Sequence, residues 1–73
     1  MPTFTIGERI RKKREALGWS QGFLADRAKV HRLQVSQYET DRIEPKLGNL
    51  GRIAAAMGIG LDELMGLAKK KAR

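Results

Sequence analysis

The spacing between residues 21 and 39 restricts this chain more than any other feature. After Ser20, an N-cap candidate, Leu24, Ala25 and Ala28 recur at helical spacing, which predicts a helix from Gln21 to Ala28. Val35 and Tyr38 stand at i, i+3 in a second segment, Arg32 to Glu39, with His31 at its cap position. Only Lys29-Val30-His31 lies between them. Three residues are too few for an antiparallel hairpin of ordinary length, so the two helices must cross at a steep angle. Ala25 is small where they approach, and Leu24, Ala28, Val30, Val35 and Tyr38 can close a miniature core. Helices of about two turns do not persist alone, so the rest of the chain has to pack against them.

The rest is helical as well. Thr5-Ile6-Gly7-Glu8 fits a capping box, and Ile6, Ile10, Lys13 and Leu17 run along one face up to Gly18, where a helix stops in a left-handed cap. Thr40 to Pro45 is polar and ends in proline, which predicts a loop. Leu47, Leu50, Ile53, Ala54 and Met57 give the clearest helical stripe, ended by Gly58; Leu61, Leu64 and Met65 make a last short helix. No segment alternates with period two and no long repeat occurs. The expected fold class is all-α, with five short helices.

At 73 residues the chain can hold one domain, near the lower limit for a core without metal or disulfide staples. With no Cys and one His, disulfides, thiolate zinc sites and multi-histidine centres are excluded, and no cofactor is expected. No apolar run approaches the roughly 20 residues of a membrane span. The start, Met1-Pro2-Thr3-Phe4-Thr5, is not a signal peptide, so a cytoplasmic location is expected. The domain is expected over residues 5–67, with its two crossing helices at 21–39 and a basic tail at 68–73. A chain ending there would carry no effector domain.

The formal charge of +7 asks for an anionic partner. Its distribution tempers that reading. Lys69 to Arg73 carries four of the 15 cations and none of the 8 anions, which leaves the body only mildly basic. More telling is the predicted outer face of the third helix: Arg32, Leu33, Ser36 and Gln37, at i, i+1, i+4 and i+5. Arg and Gln there supply donors for guanine O6/N7 and an amide for adenine N6/N7 in the major groove of double-stranded DNA. Leu33, exposed on such a face, either meets a thymine methyl or packs into the core or a partner.

At this point the chain resembles the phage-repressor (Cro/CI-like, XRE-type) helix-turn-helix proteins. The likeness lies in Ile6-Gly7-Glu8-Arg9-Ile10-Arg11, Leu17-Gly18-Trp19-Ser20-Gln21, Leu24-Ala25, Val35-Ser36-Gln37-Tyr38-Glu39, Pro45 and the run from Ile53 to Leu64. It covers about four fifths of the chain. The ordered set, rather than any single motif, is specific. The resemblance implies a lambda-repressor-like domain whose third helix enters the major groove, acting as a homodimeric transcriptional regulator, in the first instance a repressor. It implies base contacts from Arg32, Leu33 and Gln37, with Ser36 beside them, and phosphate contacts from Gln21, Thr40 and Arg42. It implies an internal ion pair between Arg14 and Glu39. Lys29 stands where the family has glycine, so a positive φ there would be strained, and His31 replaces the usual Ser/Thr cap.

Other readings use the same residues. An antitoxin-type module that binds a toxin and autoregulates its operon would keep this fold. Membrane binding by the basic first helix is disfavoured, because that helix lacks a broad apolar face. Trp19 reads as a lid over the core or an interface residue before a base stacker, and His31 as a cap or phosphate neighbour before a titratable switch. The dimer surface is expected on Leu61 to Leu67 with the end of the fourth helix. Asp62-Glu63 and the Glu39/Asp41 pair have no accompanying nucleophile or pocket, so no enzyme activity is expected.

Overall fold

The computed structural model describes residues 4–66; Leu67 and the basic tail lie outside the described residues. Five helices follow in order: α1 (Ile6–Ala16), α2 (Gln21–Ala28), α3 (Arg32–Glu39), α4 (Leu47–Ala56) and α5 (Leu61–Met65), with no strand among the described residues. Each boundary has a local chemical cause. Thr5 Oγ1 accepts the Glu8 N–H at 3.1 Å while Glu8 Oε1 accepts the Thr5 N–H at 2.9 Å, completing the expected capping box. Gly18, at φ 76°, closes α1. Ser20 Oγ accepts the Phe23 N–H at 3.0 Å and opens α2.

Both ends of α3 are set by non-glycine residues in the left-handed region. Lys29, at φ 63°, ends α2 and turns the chain into α3, as its glycine-like position predicted. Asp41, at φ 61°, follows α3. There the Asp41 N–H donates to the Tyr38 carbonyl at 3.1 Å and the Arg42 N–H to the Gln37 carbonyl at 2.9 Å, the paired bonds of a Schellman cap. A side chain at positive φ costs on the order of 1 kcal/mol, although Asp tolerates it better than most. At the start of α3, Gln34 Oε1 accepts the His31 N–H at 3.0 Å, so glutamine supplies one arm of the cap.

The core is built on Ile10, Leu24, Val35 and Ile53, which are fully buried. Ala25, Ala28, Tyr38, Leu50, Ala54, Met57 and Leu64 surround them, with Val30 and Trp19 packed at the margin. α2 packs against α3 on one side and α4 on the other, while α1 packs on α3 and α5. Two stripe residues fall outside this core. Leu17 lies past the last helical residue of α1 and is exposed, and Leu47, in the first turn of α4, keeps 66% of its surface. α1 reaches α3 through Gly7, where an added Cβ would overlap the Tyr38 carbonyl oxygen and come 2.7 Å from Asp41 Oδ1. Asn49 Nδ2 donates to the Tyr38 hydroxyl at 2.8 Å, tying α4 to α3.

Candidate nucleic-acid interface

The turn at Lys29 sends α3 away from α2 so that Val35 and Tyr38 enter the core and the opposite face is left outside. Arg32 is exposed and Leu33 keeps 65% of its surface. Leu33 therefore does not pack into the core. Ser36 and Gln37 are half-buried. Among the described residues, the side chains of Arg32, Ser36 and Gln37 take no hydrogen bond or ion pair, so their donors and acceptors are available. The stem of Arg32 runs beside Gly22, with its Cδ 3.8 Å from where a Cβ at Gly22 would be. One face of α3 thus offers a guanidinium, an apolar side chain, a hydroxyl and an amide on adjoining turns.

The expected phosphate contacts stand differently from one another. Gln21 is half-buried, and its Nε2 donates to Glu39 Oε1 at 3.0 Å. One amide hydrogen remains, and the N–H groups of Gln21 and Gly22 find no partner among the described residues, an arrangement suited to an anion at the start of α2. Thr40 is exposed, but its hydroxyl donates to the Ser36 carbonyl at 3.0 Å and its N–H to the same oxygen at 3.1 Å. Both of its donors are turned back onto the helix. Arg42 is exposed, and no carboxylate among the described residues pairs with it.

Beneath these groups lies the ion pair. Arg14 Nε donates to Glu39 Oε2 at 2.6 Å and Nη2 to Oε1 at 3.0 Å, while Nη1 donates to the Trp19 carbonyl at 2.7 Å. The Glu39 side chain is 2% exposed. Its hydrogen bond holds the Arg14 guanidinium proton more firmly than usual, against the opposing effect of burial. Arg14, Glu39 and Gln21 make one network joining α1, α3 and the start of α2. The expected pair is present, and the inclusion of Gln21 was not foreseen.

Trp19 packs on the core margin as a lid, edge-on to Phe23 with ring centroids 4.9 Å apart. The Arg27 guanidinium lies 5.3 Å from the Trp19 ring centre and 5.4 Å from that of Phe23. The other surprise is Asp41, whose left-handed backbone and carboxylate bond from Thr5 Oγ1, at 2.9 Å, sit next to Arg42. The sequence Thr-Asp-Arg after a helix carries a weak signal of this, since Asp is among the residues that accept a left-handed cap.

Comparison with known proteins agrees with this fold. A family model described as helix-turn-helix matches residues 10–64. The immunity repressor protein of Bacillus phage phi105 is 34% identical over 62 residues, covering 85% of this chain and 43% of that protein. The cryptic phage CTXphi transcriptional repressor RstR of Vibrio cholerae is 34% identical over 61 residues, covering 84% of this chain and 54% of its own. The chain thus spans about half the length of the curated relatives it matches. Among solved structures, the P22 c2 repressor protein in complex with a synthetic operator superposes with a TM-score of 0.81 at 32% identity, covering 90% of this chain and all of that one.

Proposed function

Because the chain belongs to the helix-turn-helix family, we propose that it is a sequence-specific double-stranded DNA-binding regulator of transcription that acts as a repressor. The observation that carries this is the exposed face of α3, where Arg32, Leu33, Ser36 and Gln37 stand together with their polar groups uncommitted. The likeness to an operator-bound repressor domain supports it.

In this reading α3 lies in the major groove. Arg32 reads guanine O6/N7, Gln37 reads an adenine edge, Leu33 meets a thymine methyl and Ser36 bonds a neighbouring base. Gln21, with the open N–H groups of α2, and Arg42 hold phosphates that set the register. Thr40 joins them only if its hydroxyl leaves the Ser36 carbonyl. A homodimer reads two half-sites about 34 Å apart, and occupancy of the site excludes polymerase. The protein works in the cytoplasm, where the DNA is, with residues 5–67 as the DNA-binding unit.

Selection from a random duplex pool tests this directly. The expected result is a short motif with two-fold symmetry, bound far more tightly than scrambled DNA at physiological salt. Recovery of no motif, with equal affinity for every duplex, would overturn the sequence-specific reading.

A further inference from the structure

We infer that Thr5, the N-cap of α1 and outside the helix-turn-helix, is a positioning residue for DNA binding: its bond to Asp41 aims Arg42 at a phosphate. The inference rests on the DNA reading above.

Arg42 directly follows Asp41 beyond the end of α3, so the Asp41 dihedrals decide where the Arg42 side chain departs. Asp41 is held at φ 61°, a conformation that a side chain disfavours unless something secures it. Two things do. Thr5 Oγ1 donates to Asp41 Oδ2 at 2.9 Å, and the other carboxylate oxygen lies against Gly7, over the positive end of α1. Thr5 is itself immobilised, since the same hydroxyl accepts the Glu8 N–H and the Thr5 N–H is held by Glu8 Oε1. The Arg42 N–H is fixed to the Gln37 carbonyl at 2.9 Å. The start of α1 and the end of α3 thus form one latch, and a phosphate meets an Arg42 whose backbone is already ordered, which lowers the entropy lost on binding.

The test is a double-mutant cycle. Affinity is measured by fluorescence anisotropy across a salt series, on a duplex carrying the selected site and on a scrambled duplex. The proteins are wild type, T5S, T5V, D41A, R42A and T5V/R42A, each checked for folding by circular dichroism. T5V is expected to weaken both duplexes alike, by roughly threefold to tenfold, and to flatten the salt dependence by about one phosphate's worth, as R42A does. T5S restores the wild-type values, and T5V adds nothing in the R42A background. D41A removes the carboxylate from the loop side while leaving the α1 cap intact and a Cβ at the left-handed position, and weakens both duplexes likewise if T5V does not fold. Losses that multiply in T5V/R42A, or a T5V protein that melts earlier yet binds normally, overturn the latch alone. An R42A protein with unchanged affinity and salt dependence overturns the phosphate role of Arg42, and the latch with it.

Discussion

Arg32 and Arg42 are both exposed arginines near α3, yet removing them should have different consequences. Arg32→Ala is expected to cost about 1–3 kcal/mol on the selected site and to relax preference at one base pair, while Arg42→Ala weakens all duplexes alike. Equal losses for Arg32→Ala on selected and scrambled DNA would remove Arg32 from base reading. Lys29 carries a separate prediction. Replacing it by glycine relieves the left-handed backbone at some cost in chain entropy, so Lys29→Gly should raise stability by up to about 1 kcal/mol in urea unfolding. A fall in stability would mean that the Lys29 side chain has contacts outweighing the strain. At this scale the sequence was readable where one residue type answers one local need: Thr5 and Ser20 as caps, Lys29 in a glycine position. It was unreadable where a side chain had two suitors. Nothing in the pattern says that Gln21 turns towards Glu39, because that choice depends on a carboxylate 18 residues away.

Helices add a different kind of constraint, the way their faces are spent. The periodicity of α4 identified Leu50, Ile53, Ala54 and Met57 as core, and all four are buried. It misjudged Leu47, because a residue in the first turn, at the edge of the bundle, has nothing above it to pack on. Gly51 sits inside α4 with open space where a Cβ would go. Gly51→Ala should therefore stabilise the domain by about 0.5–1 kcal/mol without altering DNA binding, checked by thermal melting and anisotropy together. The Arg14–Glu39 pair joins α1 to α3 and, through Gln21, to the start of α2, and breaking it from one side should be severe. Glu39→Ala leaves a guanidinium largely out of water without its partner and is expected to cost about 3–5 kcal/mol, whereas an apolar pair, Arg14→Met with Glu39→Leu, should fold considerably better. If the single substitution proves as mild as the double, the pair is not holding these helices. Since the bond raises the Arg14 pKa, the arginine's contribution is fully present through neutral pH and fades only as pH climbs through that elevated value.

Taken whole, the molecule is a small helical cluster that presents one helix face, and its proposed regulatory action depends on two copies meeting one DNA site. Inserting about five base pairs between the selected half-sites turns them to opposite sides of the duplex. Binding should then lose its dependence on the second half-site; unchanged affinity would argue for a monomeric reader. The five-helix architecture could be read from the chain because every element announces itself locally, by a cap, a stripe or a stop. The seams between elements could not. They depend on contacts such as Asn49 with Tyr38 and Thr5 with Asp41, which join residues 11 and 36 positions apart. Gly7 is the sharpest instance. An exhaustive substitution survey scored by repression will find position 7 intolerant of every replacement, and such a column invites interpretation as an operator contact. Glycine has no side chain to offer DNA, and the cause lies in the separation of two backbones, too small to admit even a methyl group.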